Sequence, residues 1–78
     1  MAQYVYMPKF GATMTQGEVV QWFIKEGDSI TRGQIIAEIM TDKVTNEIAA
    51  LVSGEVEKIV VAEGEIAEVG KVLAILKD

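Results

Sequence analysis

The chain has 78 residues, of which 50% are hydrophobic and 24% charged, and its twelve Asp/Glu, seven Lys/Arg and no histidine give a formal net charge of −5. This length accommodates one small domain. Because the sequence has neither cysteine nor histidine, it excludes disulfides, thiolate metal sites and Ser-His-Asp or Cys-His catalysis, and we expect no metal site. The acidic balance argues against a nucleic-acid partner, and no apolar run reaches the length of a membrane span.

The residue types along the chain predict a series of short strands. β-Branched residues dominate, with ten Val, nine Ile and five Thr against three Leu, and this balance favours pleated, half-buried strands over helices. Seven glycines divide the chain into pieces of strand length. The pattern predicts an all-β domain with strands at 3–7, 18–24, 34–40, 44–49, 55–61 and 71–77, and two shorter strands at 29–31 and 66–68.

An internal repeat organises these strands. The alternation of Ile35, Ala37 and Ile39 predicts one buried face, and residues 72, 74 and 76 repeat it in the same phase. The repeat therefore predicts two similar halves packed together as a flattened β-sandwich or barrel. When the sequence is shifted by 37 residues, identical residues coincide as follows: Gly17-Glu18-Val19 with Gly54-Glu55-Val56, Glu26-Gly27 with Glu63-Gly64, Gly33 with Gly70, and Ala37 with Ala74.

Two segments fall outside the repeat. The first half has an additional surface loop at 8–16, in which Phe10 and Met14 are unusually apolar. Such residues commonly fold back onto a core, although loops on rigid scaffolds also carry recognition. At the junction of the halves, Asp42 and Lys43 are predicted at the tip of a hairpin. A turn lysine is usually just solvated, but its amine is also an accessible handle for covalent modification.

Several short motifs resemble those of one known family. Gly54 and the Val69-Gly70 pair fit later family positions, and the order and spacing of all the motifs cover essentially the whole chain. The chain thus resembles the lipoyl domain of the E2 (dihydrolipoyl acyltransferase) component of a 2-oxo acid dehydrogenase complex, within the biotinyl/lipoyl attachment family. The three main motifs are Met7-Pro8-Lys9-Phe10-Gly11, similar to Met-Pro-x-Leu-Gly; residues 22–28 (WFIKEGD), similar to W-x-x-K-E-G-D; and Thr41-Asp42-Lys43-Val44, similar to T-D-K-(A/V).

The resemblance implies a non-catalytic carrier domain over residues 2–77, folded as a flattened eight-stranded barrel of two quasi-symmetric four-stranded sheets. It implies that lipoate is the cofactor and is joined by an amide bond to Lys43. Recognition by a lipoate-protein ligase or lipoyl transferase is then expected at Thr41, Asp42 and Val44. The loop with Phe10 and Met14 is expected either to meet the decarboxylase or simply to pack on the domain.

A swinging arm is the function that the resemblance implies. Lipoyl-lysine would shuttle acyl groups and electrons between a thiamine-diphosphate-dependent decarboxylase, the acyltransferase core and dihydrolipoamide dehydrogenase. The turn favours pyruvate, branched-chain or acetoin systems over 2-oxoglutarate. We expect an isolated monomer without nucleic-acid or membrane partners, in a bacterial or archaeal cytoplasm or, alternatively, the mitochondrial matrix.

The turn also departs from the family pattern in two places. Met40 stands where many lipoyl domains have glutamate, three residues before the lysine, and Val44 replaces the commoner alanine. A biotinyl carrier domain of a carboxylase is the nearest alternative, but its turn reads Met-Lys-Met, whereas here Asp42 and Val44 flank Lys43.

Two further alternatives come from other functional classes. The first is a β-sandwich module that binds a protein partner and is never modified. The second is a free-standing enzyme in which the pair Glu55/Glu57 or Glu63/Glu65 acts like the two carboxylates of a glycosidase. Two packed sheets in so short a chain leave little room for a substrate pocket, so these glutamates are expected to keep strand edges soluble.

Overall fold

A computed structural model describes residues 2–42 and 44–77, which form eight strands. Every predicted strand is present, with bounds that differ from the prediction by at most two residues. No helix of the length and hydropathy needed to cross a bilayer occurs in these residues. The strands are β1 (Gln3–Tyr6), β2 (Gln16–Trp22), β3 (Ser29–Ile30), β4 (Ile35–Thr41), β5 (Val44–Ala49), β6 (Gly54–Ile59), β7 (Ile66–Glu68) and β8 (Val72–Lys77).

The strands form two four-stranded antiparallel sheets that exchange elements between the halves. One sheet has the order β1-β8-β6-β3 and the other β5-β4-β2-β7. Each half therefore contributes two strands to each sheet, and neither half can form a complete sheet alone. The sheets pack face to face with a Cα radius of gyration of 11.7 Å. The predicted fold, a flattened sandwich of two quasi-symmetric sheets, is confirmed.

Backbone hydrogen bonds repeat with the same 37-residue shift as the sequence. Gly27 N–H donates to Val56 O at 2.8 Å, and Gly64 N–H donates to Val19 O at 2.7 Å. Both glycines have positive φ, 94° and 87°, in the left-handed region that side chains disfavour. The Glu-Gly pairs of the repeat are thus the tight turns at which each half bonds to a strand of the other.

β-Bulges also recur at equivalent places, and they correct one prediction. The register of β4 against β5 shifts between Ile35 and Ala37, so Ile36 becomes buried while Ile35 is 39% exposed. Strict alternation had predicted Ile35 on the buried face, which is wrong, because a bulge inserts one residue and changes the phase. The second half has the same pattern, with Leu73 buried beside a register shift of β1 against β8.

The core lies between the sheets. Apolar side chains from every strand except β1 fill it, together with residues of the connections, and Val5 of β1 packs against them. Trp22 is the largest buried side chain, and its indole N–H donates to Val61 O at 2.8 Å, which satisfies its polar atom inside the core. The buried apolar side chains are those of Met7, Val19, Trp22, Ile24, Ile30, Ile36, Ala37, Ile39, Ile48, Ala50, Val56, Val61, Ala67, Leu73, Ala74 and Leu76.

Candidate functional site

The hairpin between β4 and β5 is the candidate site. Thr41 pairs with Val44 and Met40 with Thr45, so the ladder continues to the last residues before the turn. Asp42 is exposed and has a φ of 45°, a left-handed conformation that Asp and Asn tolerate better than other non-glycine residues. Lys43, the predicted attachment residue, lies outside the described residues, and its role stays a prediction.

Both neighbours of Lys43 in the sequence are accessible. Val44 is 56% exposed at the start of its strand, and Asp42 is exposed too. Thr41 is only half-buried. An enzyme that approaches this hairpin therefore meets the side chains on either side of the lysine without any opening of the fold.

The quasi-symmetry makes this turn unique. The pairing of Ile39 with Asn46 corresponds to the pairing of Leu76 with Gln3 in the other sheet. Where one sheet has the hairpin, the other has the two ends of the chain. The fold thus has a hairpin turn at only one of these two equivalent positions.

The 8–16 loop packs beside the turn through a glycine. Gly17 is buried, and a Cβ added to it would lie 3.3 Å from Met14 Cε, 3.3 Å from Thr41 Cγ2 and 2.7 Å from Ile39 Cγ2. Met14 also packs against the core, as apolar loop residues commonly do. The structure therefore brings Met14 and Thr41 together across Gly17.

Phe10 has a different environment. It lines an apolar groove of about 440 Å³ between the edge strands β1 and β5, together with Tyr4, Tyr6 and Leu51. Its backbone N–H donates to the thioether of Met14 at 3.1 Å. The two predicted loop residues are joined by this bond, but Met14 lies toward the turn and Phe10 toward the groove.

A second groove, of about 300 Å³, lies directly at the turn. Its lining includes Glu18 of β2, Met40 and Thr41 of β4, Asp42 of the turn and Ile66 of β7. Ile66 is 59% exposed there. The groove combines apolar surface with two carboxylates next to the candidate attachment position.

Of the two glutamate pairs considered as catalytic, Glu63 and Glu65 have structural partners. Glu63 Oε2 accepts a hydrogen bond from Trp22 N–H at 2.8 Å, and Glu65 Oε1 accepts one from Ala62 N–H at 2.9 Å. Glu26, the repeat counterpart of Glu63, accepts from Ile59 N–H at 3.0 Å. These carboxylates accept hydrogen bonds from backbone N–H groups. This structural role accounts for the glutamates of the Glu-Gly repeat without a catalytic one.

Sequence reasoning missed two features near the turn. Gly17 was recognised only as a mark of the repeat, although its missing side chain lets Met14, Ile39 and Thr41 approach one another. Glu18 was also only a repeat residue, whereas it lines the groove at the turn. Strand register would have shown the second feature, since Glu18 pairs with Met40.

Comparisons with known proteins agree with this geometry. The family model described as "Biotin-requiring enzyme", the biotin/lipoyl family, matches residues 3–76. Dihydrolipoyllysine-residue acetyltransferase components of the pyruvate dehydrogenase complex are similar over 73 residues, with 42% identity in Staphylococcus aureus (strain Mu50) and 44% in Staphylococcus epidermidis. These matches cover 94% of this chain but 17% of each relative, so the chain spans about a sixth of their length.

Solved structures share the fold. The lipoyl domain of the 2-oxoglutarate dehydrogenase complex from Azotobacter vinelandii superposes with a TM-score of 0.78 at 32% identity, and the match covers 96% of this chain and 95% of that one. Urea carboxylase from Kluyveromyces lactis matches with a TM-score of 0.80 at 23% identity, covering 99% of this chain and 6% of that one. At that identity the second match shows the fold alone.

Proposed function

This chain belongs to the biotin/lipoyl attachment family as a non-catalytic lipoyl domain, and we propose that it carries lipoate in amide linkage on Lys43. The observation that carries the proposal is the hairpin between β4 and β5. Its sequence, Thr41-Asp42-Lys43-Val44, occurs once, at the position where the quasi-symmetric fold has a turn in one sheet and chain ends in the other. The exposure of Asp42 and Val44 supports access for a modifying enzyme.

The bound group would supply disulfide–dithiol chemistry, which can accept electrons and an acyl group. The domain itself would supply the position of the arm. The β4–β5 ladder reaches Thr41 and Val44, so the root of the arm stands on a paired backbone and not on a long loop. Tethering on such a root replaces free diffusion by a high local concentration at each partner's active site.

Similarity to acetyltransferase components supports a place in a 2-oxo acid dehydrogenase complex. We propose that the arm serves a thiamine-diphosphate-dependent decarboxylase, an acyltransferase core and dihydrolipoamide dehydrogenase. Among the 2-oxo acids, the relatives at 42% and 44% identity favour pyruvate.

Biotin is the second candidate, because the same family contains biotin-dependent enzymes. The flanking residues favour lipoate, since Asp42 and Val44 occupy the places where a biotinyl turn has methionine. Co-expression with a lipoate-protein ligase in lipoate medium, and separately with a biotin ligase in biotin medium, distinguishes the two by intact mass.

We expect one lipoyl-sized mass increment, mapped to Lys43 by peptide sequencing, and no biotinyl increment. Lys43→Arg keeps the charge and removes the acylatable primary amine, so it should stay unmodified and fold normally. A biotinyl increment would support the carboxylase alternative. A wild-type chain that stays unmodified beside an active ligase would support the unmodified interaction module.

A further inference from the structure

The two sheets have the same architecture but different charge. In the sheet that bears the turn, β5-β4-β2-β7, the strands contain four glutamates and no lysine or arginine, and every strand residue is described. The strands of the other sheet contain two glutamates and two lysines. The four glutamates are Glu18, Glu38, Glu47 and Glu68, and the charged residues of the other sheet are Glu55, Glu57, Lys58 and Lys77.

Equivalent positions show that the fold does not require this charge. In the other sheet Glu55 lies opposite Lys77, an attractive pair, whereas its repeat counterpart Glu18 lies opposite Met40. Like charges that face each other across two strands are destabilising. Glu38 nevertheless lies opposite Glu47 in the turn-bearing sheet.

The corresponding pair in the other sheet is uncharged. Tyr4 lies opposite Ile75 there, at the positions that correspond to Glu47 and Glu38. The same backbone thus holds an apolar pair in one sheet and a repulsive pair in the other. Folding alone does not explain why the repulsive pair lies in the sheet that bears the turn.

The acidic face also offers apolar surface of the right shape. Glu18 pairs with Met40 on one side and with Ile66 on the other, so its carboxylate stands between two apolar side chains. These residues and Asp42 line the groove of about 300 Å³. A lysine or arginine side chain fits this combination, since its aliphatic stem packs on apolar surface while its charged head meets carboxylates.

We propose that the outer face of the turn-bearing sheet docks a basic surface of the enzyme that acylates Lys43, with a lysine or arginine of that enzyme in the groove between Met40 and Ile66. This inference rests on the proposed function, because the partner is the lipoate-protein ligase. Two observations identify this partner. The first is charge complementarity, because the strands of this sheet contain four glutamates and no lysine or arginine. The second is the position of the groove beside the turn. Thr41 and Asp42 line the groove, so a protein bound there reaches the next residue of the chain.

The other sheet supplies a control variant with the same change in net charge. The double variant E18Q/E38Q removes two charges from the turn-bearing sheet, and E55Q/E57Q removes two from the other. Both change the net charge from −5 to −3, so a difference between them reports where the charge lies. Acylation of Lys43 by a purified lipoate-protein ligase is followed by intact mass at several domain concentrations and salt concentrations.

For E18Q/E38Q we expect kcat/KM at low salt to fall about 3–10-fold, mainly through KM, and its salt dependence to flatten, because charges at the rim of an interface act on association. E55Q/E57Q should stay within about twofold of wild type. Urea unfolding should show E18Q/E38Q at least as stable as wild type, since the variant relieves the repulsion between Glu38 and Glu47. Slower acylation of a chain that is no less stable cannot result from unfolding.

Equal kcat/KM for the two double variants, or a salt dependence of E18Q/E38Q that equals that of the wild type, would overturn the docking face. The proposed function fails in a different way, namely when the wild-type chain is not acylated on Lys43 at all.

Discussion

Gly17 is where the structure predicts the largest effect of a single added methyl group. A Cβ at this position would lie 2.7 Å from Ile39 Cγ2, well inside van der Waals contact. Ile39 is fully buried and β-branched, so its methyl group cannot rotate away without disturbing the core. The variant Gly17→Ala must therefore displace β2, β4 or both.

The loss of stability caused by Gly17→Ala can be bounded. Overpacking of a well-packed core costs about 1–3 kcal/mol, and replacing glycine by alanine returns about 0.4–1 kcal/mol through the unfolded chain. The difference is a net loss between about 0 and about 2.6 kcal/mol. Because the 2.7 Å approach is to a buried side chain, we expect the upper part of this range, about 1–2.6 kcal/mol, which in a domain of this size lowers Tm by roughly 4–21 °C. Equilibrium urea unfolding followed by the fluorescence of Trp22, the single tryptophan, measures it.

Gly54→Ala is the matched control, because Gly54 is the repeat counterpart of Gly17. Its added Cβ would lie 3.2 Å from Lys77 O and 3.7 Å from Leu76 Cβ, so the neighbours need to move by only a few tenths of an ångström. We expect its stability to stay within about 1 kcal/mol of wild type. Were Gly17→Ala no less stable than Gly54→Ala, the close packing of Gly17 against Ile39 would not be a feature of the folded protein.

Two further predictions concern the core and the turn. Trp22→Phe removes the indole N–H and leaves Val61 O without its 2.8 Å donor inside the core, so we expect a loss of about 1–3 kcal/mol in stability. Because this variant has no tryptophan, its urea unfolding is followed by circular dichroism, and a loss below the error of that measurement would contradict the buried bond. Asp42 has a φ of 45°. Asp42→Asn should preserve stability, whereas Asp42→Ala should cost about 1 kcal/mol, because Ala tolerates the left-handed region less well. Equal urea-unfolding midpoints for the two variants would refute a conformational role of this residue.

The internal repeat explains why so much of the fold could be predicted. A 37-residue shift that preserves Gly17-Glu18-Val19 also preserves the strand, the turn and the hydrogen bonds that connect them. Phe23 and Val60, aligned by the repeat, are correspondingly 46% and 41% exposed. Similar sequence in two halves leads to similar structure, so each half provided a check on the other.

The bulges could not be predicted from the pattern of the side chains. Ile35 and Ile36 are the same residue type, so nothing in hydrophobicity tells which one points inward. The choice is made by the register against β5, which shifts between Ile35 and Ala37. Register depends on a partner strand, and a period-two pattern within one strand does not contain it.

The exchange of strands between the sheets was also beyond the sequence argument. The repeat predicts two similar halves, and it does not say that β1 pairs with β8 while β5 pairs with β4. The residues that line the groove at the turn could not be predicted from the sequence for the same reason. Glu18 and Met40 are far apart in sequence, and only the pairing of β2 with β4 makes them neighbours beside the turn.

Several departures from the symmetry meet at one end of one sheet. Both halves use the same strands and turns, although a feature of one half alone, such as buried Trp22, can still stabilise the core. Three of these departures meet at Gly17: the contact with the loop through Met14, the contact with the turn through Thr41, and the next residue, Glu18, which lies opposite Met40 and not opposite a lysine. In the other half Gly54 meets only the backbone and side chain of β8, and its neighbour Glu55 lies opposite Lys77. A partner that acts at the turn, as proposed above, accounts for why these departures lie together.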